Sequence, residues 1–106
     1  MRANITLIHI EKGEVKSSLN MVSDYKPNHQ TTYQGTDVIH FDNMMFLLPF
    51  GDYVVNQGDY IVIGDVSVTT DSLVETLKSH KSYQVKSIDE VENKNGVNYK
   101  YKTICQ

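Results

Sequence analysis

A mainly β protein, a small antiparallel β-barrel or sandwich with one short helix near residues 70–80, is the fold class this 106-residue chain predicts. Three observations predict it. Gly51-Asp52-Tyr53-Val54-Val55 is followed by Gly58-Asp59-Tyr60-Ile61-Val62 and Gly64-Asp65, a grammar of short strands and tight corners. Gly and Asp tolerate turn geometries, whereas Tyr, Val and Ile suit a pleated, half-buried surface. Apolar and polar residues alternate near both ends of the chain, and helical periodicity is convincing in one segment only.

Taken in order, residues 5–10 read as an opening strand. Lys12-Gly13 can turn the chain, and Val15, Ser17 and Leu19 alternate with Lys16 and Ser18 as a hairpin partner would. Apolar residues then thin out while Pro27, Asn28 and Gly35 accumulate, predicting a long loop around residues 20–36. Within residues 37–49, Asp42-Asn43 predicts a turn with a strand on either side. The run Met44-Met45-Phe46-Leu47-Leu48 is continuously apolar, which implies burial on both faces or an interface, and Pro49 ends it.

The two Gly-Asp segments follow as strands. Leu73, Val74 and Leu77 then share a face of a helix expected over residues 69–80, with Ser72 and Glu75 spaced for a capping box. Residues 83–91 read as a strand, Asn93-Lys94-Asn95-Gly96 as a hairpin turn, and residues 97–103 as the closing strand. Lys100 and Lys102 on that strand would discourage stray edge pairing. Residues 1–106 are thus expected to form a single domain.

Size and charge exclude several classes of function. A chain of this length buries roughly two-thirds of the surface its unfolded form exposes, enough for one core. The single cysteine, Cys105, allows no internal disulfide, and a reducing compartment is the default. No charged, apolar leader opens the chain and no apolar run approaches the ~20 residues of a bilayer span, so a soluble, unprocessed protein with no membrane partner is expected. Thirteen acidic against ten basic residues give a net charge of −3, and Arg2 is the sole arginine. Sequence-specific nucleic-acid binding is disfavoured, because phosphate neutralisation and bidentate base recognition both need basic side chains.

Residue patterns for chemistry are missing too. His9, His29, His40 and His80 are scattered without metal-site spacing, and the pairing of His40 with Asp42 lacks a third group. No serine sits in a Gly-x-Ser-x-Gly elbow. Asp52, Asp59 and Asp65 fail the calcium-loop pattern and are explained as turn formers. Gly51, Gly58 and Gly64 are too widely spaced to cradle phosphate. No catalytic residue, metal ligand or cofactor is expected, and the protein is not expected to be an enzyme. Seven tyrosines without a tryptophan leave two readings open, half-buried strand residues or an adhesive surface, above all for Tyr25 and Tyr33.

Met44-Met45-Phe46-Leu47-Leu48-Pro49, then Gln57-Gly58-Asp59-Tyr60-Ile61-Val62-Ile63-Gly64-Asp65, then Tyr83-Gln84-Val85-Lys86-Ser87-Ile88-Asp89 resemble, in order and spacing, the head-closure (head-completion, minor capsid) neck proteins of tailed bacteriophages. That resemblance covers roughly residues 38–106. It implies a small β-barrel that self-associates into a ring between a portal-proximal adaptor and the tail, in the virion or the host cytoplasm, with a long inserted loop. Its function would be structural, not catalytic. The partner-contacting residues it implies lie in the long loop: Asp24, Tyr25, Lys26, Pro27, Asn28, His29, Gln30 and Tyr33. The alternative is a monomeric β-barrel binding module for peptide or carbohydrate; a small enzyme ranks third.

Overall fold

The computed structural model describes residues 1–34, 37–91 and 96–106, with residues 29–34 and 37–42 described by backbone alone. Six strands and one helix follow one another as β1 (Arg2–Glu11), β2 (Glu14–Gln34), β3 (Asp37–Leu48), β4 (Tyr60–Ile63), α1 (Leu73–Ser79), β5 (Ser82–Glu90) and β6 (Tyr101–Cys105). The strands close into an antiparallel barrel in the order β1-β2-β3-β6-β5-β4. The mainly β class with a single short helix is therefore what the chain adopts.

Alternation along the strands explains the core. Ile5 and Leu7 on β1, Phe46 and Leu48 on β3, Ile61 on β4, Val85 on β5, and Tyr101 and Cys105 on β6 are buried together, with Val55 added from the segment before β4. Phe46 sits between Tyr25 and Tyr83, its ring centre 5.6 Å and 5.5 Å from theirs. A second cluster lies on the other face of β1 and β4, where Ile8, Val62 and Val68 are covered by Val66, Leu73 and Leu77. The central residues of β1 are buried on both faces for this reason. Thr6, fully buried on the second face, ties the covering segment down. Its hydroxyl lies 2.7 Å from Asn20 Oδ1 and 2.8 Å from the Gly64 carbonyl, and it accepts the Val66 N–H at 3.1 Å.

Local geometry agrees with several turn expectations. Lys12 (φ 51°) and Gly13 (φ 76°) both occupy the left-handed region that a two-residue hairpin between twisted strands requires. Gly58 (φ 94°) does the same in the turn that leads into β4.

Other expectations need correction. Of the long loop expected around residues 20–36, residues 20–34 are instead part of β2, which pairs first with β1, from Arg2↔Asp24 upward, and then with β3, from Asp24↔Leu47 to Gln34↔Asp37, while residues 35–36 lie outside the described residues. Apolar alternation reports burial, and ladder hydrogen bonds are made by the backbone, so a strand with one neighbour leaves little mark in composition. The Asp42-Asn43 turn does not form either: β3 is continuous, and Asn28 faces Asn43 across the ladder. Pairing along the whole strand outweighs the local preference of two residues.

Gly51-Asp52-Tyr53-Val54-Val55 is irregular, held by a hydrogen bond from the Tyr53 hydroxyl to the Pro49 carbonyl and by burial of Val55. The closing strand starts at Tyr101. Lys100 guards no edge, since barrel closure places β6 between β3 and β5; its ammonium reaches the Gly51 and Tyr53 carbonyls at 3.2 Å and lies over the Tyr53 and Tyr101 rings. Helix α1 is shorter than residues 69–80, and the capping box is absent because Ser72 spends its hydroxyl on the Thr69 N–H at 3.0 Å. The Asn93-Lys94-Asn95-Gly96 turn falls largely on residues 92–95, outside the described residues, although β5 and β6 pair antiparallel on either side of it.

Candidate assembly surface and a histidine–carboxylate cluster

Beyond Asp24, β2 leaves β1 behind and keeps only β3 beside it, and β3 meets β6 only from Met44 onward. The β2–β3 pair therefore continues as a two-stranded ribbon past the N-terminal end of β1. Among the described residues no third strand lies against either of its edges.

The backbone directions along this ribbon can be read from one bond. Tyr25 donates its N–H to the Met1 carbonyl at 2.8 Å, so Tyr25 points its peptide groups away from β3. Peptide groups alternate sides along a strand. Pro27 faces the same outer edge, which is why a residue lacking an N–H fits inside this ladder.

The eight residues implied as partner contacts fall into three groups. Asp24, Lys26 and Pro27 are exposed at the ribbon's root, Asp24 with Arg2 Nε at 3.9 Å. Tyr25 points the other way and stacks on Phe46 in the core, and Asn28 is half-buried. His29, Gln30 and Tyr33 lie along the ribbon opposite Asp42, Phe41 and Val38, and their side chains are outside the described residues, as is the His40 and Asp42 pair. Shallow clefts flank the root, one of about 150 Å³ bounded by Met1, Lys26 and Met45 and one of about 180 Å³ bounded by Arg2, Val22 and Tyr99. Both fall short of the ~300 Å³ at which small-molecule pockets begin.

A second feature escaped sequence reasoning. His9, near the end of β1, places Nδ1 2.7 Å from Asp59 Oδ1 and Nε2 3.1 Å from Glu11 Oε1. Asp59 is buried, with its other carboxylate oxygen accepting the Asn56 N–H at 2.9 Å, while its own N–H reaches the Asn56 carbonyl at 3.1 Å. It is thus the turn former that its Gly-Asp context implies and also the anion beneath a histidine. Asp59, and then Glu11, raise the His9 pKa above its ordinary value by accepting hydrogen bonds from the charged ring.

When protonated, the ring donates from both nitrogens and has no lone pair left for a metal or a substrate proton. It serves as a tie between β1 and the turn before β4. The only sequence signal was the shared inward parity of His9 with Leu7 and of Asp59 with Ile61, which means nothing until β1 and β4 are known to pair.

Cys105 is fully buried, and that burial raises its thiol to about 11. Among the described residues no group of three His, Cys, Asp or Glu side chains is placed to hold a metal ion, and no helix is long and apolar enough to cross a membrane. Comparison with protein-family models, with curated proteins and with solved structures gives no match.

Proposed function

We propose that this protein is a non-catalytic structural subunit of a phage or prophage neck, a head–tail connector that associates with copies of itself and sits between a portal-proximal adaptor and the tail. One observation carries the assembly half of the proposal: a closed barrel from which the β2–β3 ribbon extends with, among the described residues, no third strand on either edge. Open edges invite strand addition, and natural monomers normally cover or shorten them. An isolated two-stranded ribbon is also at best marginally stable in water, so a partner that covers it stabilises it.

The neck half rests on the resemblance of three segments, which fall in β3, in the turn and strand around β4, and in β5. These strands contribute Phe46, Leu48, Ile61 and Val85 to the barrel interior. The His9 cluster supports a structural role, because both ring nitrogens are engaged by carboxylates and, among the described residues, its hydrogen-bond partners include no nucleophile.

The test is to add the purified chain to isolated portal and adaptor complexes of the phage that encodes it and to image the product by electron microscopy. An added ring of density at the tail-proximal face is expected. A chain that ignores those complexes and binds a peptide or glycan as a monomer would establish the binding-module alternative instead.

A further inference from the structure

We infer that the outer edge of β2 in one copy of this chain pairs antiparallel with the outer edge of β3 in the next, so that the ribbons of the assembly merge into one continuous sheet. The inference rests on the assembly role proposed above and names the contact that would produce it.

The alternation fixed by Tyr25 assigns the groups. On β2, the residues that share the orientation of Tyr25 and Pro27 are His29, Thr31 and Tyr33, and their N–H and C=O groups point away from β3. Their partners across the ladder are Asp42, His40 and Val38, which turn their own peptide groups away from β2 by the same rule. Met44, the next residue in that series, is already paired with Cys105 of β6. The two open edges therefore start at the same height, beside the barrel, and run the same length.

This equality identifies the occupant. A foreign strand laid on one edge would leave the other open, and a two-fold pairing of β2 with β2 would leave both β3 edges open. A second copy of the chain, docked edge to opposite edge, satisfies the outward groups of both ribbon edges and repeats, since a head-to-tail contact closes into a ring when its rotation allows. Strand direction agrees, because β3 of one copy and β2 of the next run antiparallel when all copies point the same way. Pro27 and the Tyr25–Met1 bond mark where the shared sheet must stop, as neither offers a free N–H to a neighbour.

Proline substitution separates this contact from the fold. In Thr31→Pro and, independently, Val38→Pro, the lost N–H faces outward and no hydrogen bond between β2 and β3 is removed, whereas Thr32→Pro deletes a donor between β2 and β3. Sedimentation of the full-length variants is expected to require at least tenfold more protein for association, with unchanged far-ultraviolet circular dichroism.

Amide exchange on the unmodified chain provides a second measurement. The amides of His29, Thr31, Tyr33, Val38, His40 and Asp42 should slow at least tenfold on association, while those of Gln30 and Thr32 stay as they were. Association of the unmodified chain that is indifferent to Thr31→Pro and Val38→Pro, or exchange without this alternation, overturns the edge pairing and leaves the assembly role standing. A chain that remains monomeric at every concentration, and ignores the portal and adaptor complexes, overturns both.

Discussion

His9 and Asp59, fifty positions apart in the chain, meet at 2.7 Å with the carboxylate buried and the imidazole mostly so. The contact joins the end of β1 to the turn that starts β4, and it consists of a charge-assisted hydrogen bond between a cation and an anion that has little water around it.

A pH dependence follows. The pKa of His9 is higher in the folded than in the unfolded chain, so the folded state holds its proton more tightly. The stabilisation is complete below the unfolded value of about 6.5 and is lost as pH rises through the raised folded value. Urea unfolding at pH 6 and pH 9 should show wild-type stability falling between them. In His9→Gln that fall should be smaller, with a loss of roughly 1–2 kcal/mol at pH 6 and much less at pH 9.

Removing Asp59 has a different signature. Asp59→Ala strips the Asn56 N–H of its acceptor and leaves His9 without its buried anion, so about 2–3 kcal/mol should be lost at pH 6. Asp59→Asn keeps one acceptor oxygen and should recover part of that loss while reducing the pH dependence to what Glu11 sustains. Equal stability of the two variants would contradict the dual role.

Inward and outward positions of the barrel strands should respond differently to charge. Ile61 is fully buried, and Ile61→Lys places an unpaired ammonium in the core, enough to unfold the barrel. The sequence alone suggests the same for Leu47. In the structure Leu47 is only half-buried and faces Asp24 across the ladder, so Leu47→Lys should cost less than about 1 kcal/mol. Thermal unfolding of the two variants separates them.

Burial of Cys105 predicts a chemically silent thiol. At pH 8 the folded chain should resist alkylation by iodoacetamide, since its thiol pKa is raised to about 11 and no atom of it meets solvent, and urea should expose it to rapid labelling.

Most of the barrel was legible because its strands alternate over a core: the first hairpin turned at Lys12-Gly13, and the strands around Ile61, Val85 and Thr103 fell near their expected places. The ribbon was not, for β2 beyond Asp24 has a single neighbour, and its strand character resides in backbone pairs that any residue types can make. Gly51 to Val55 misled in the opposite way, with strand-forming residues that no partner strand ever reaches. The tie between His9 and Asp59 was hidden for a third reason, namely that it depends on the register of β1 against β4, Ile8 facing Tyr60, and only the closed barrel sets that register.

The central claim, that the ribbon exists to join subunits, is tested most directly by sedimentation of two chains across a concentration series. One is the full chain and the other has residues 29–42 replaced by Asn-Gly between Asn28 and Asn43, which keeps Ser23, Tyr25 and the whole core. The full chain is predicted to associate while the shortened chain stays a folded monomer with the same unfolding midpoint. Identical association of both, with the barrel intact, would contradict the account.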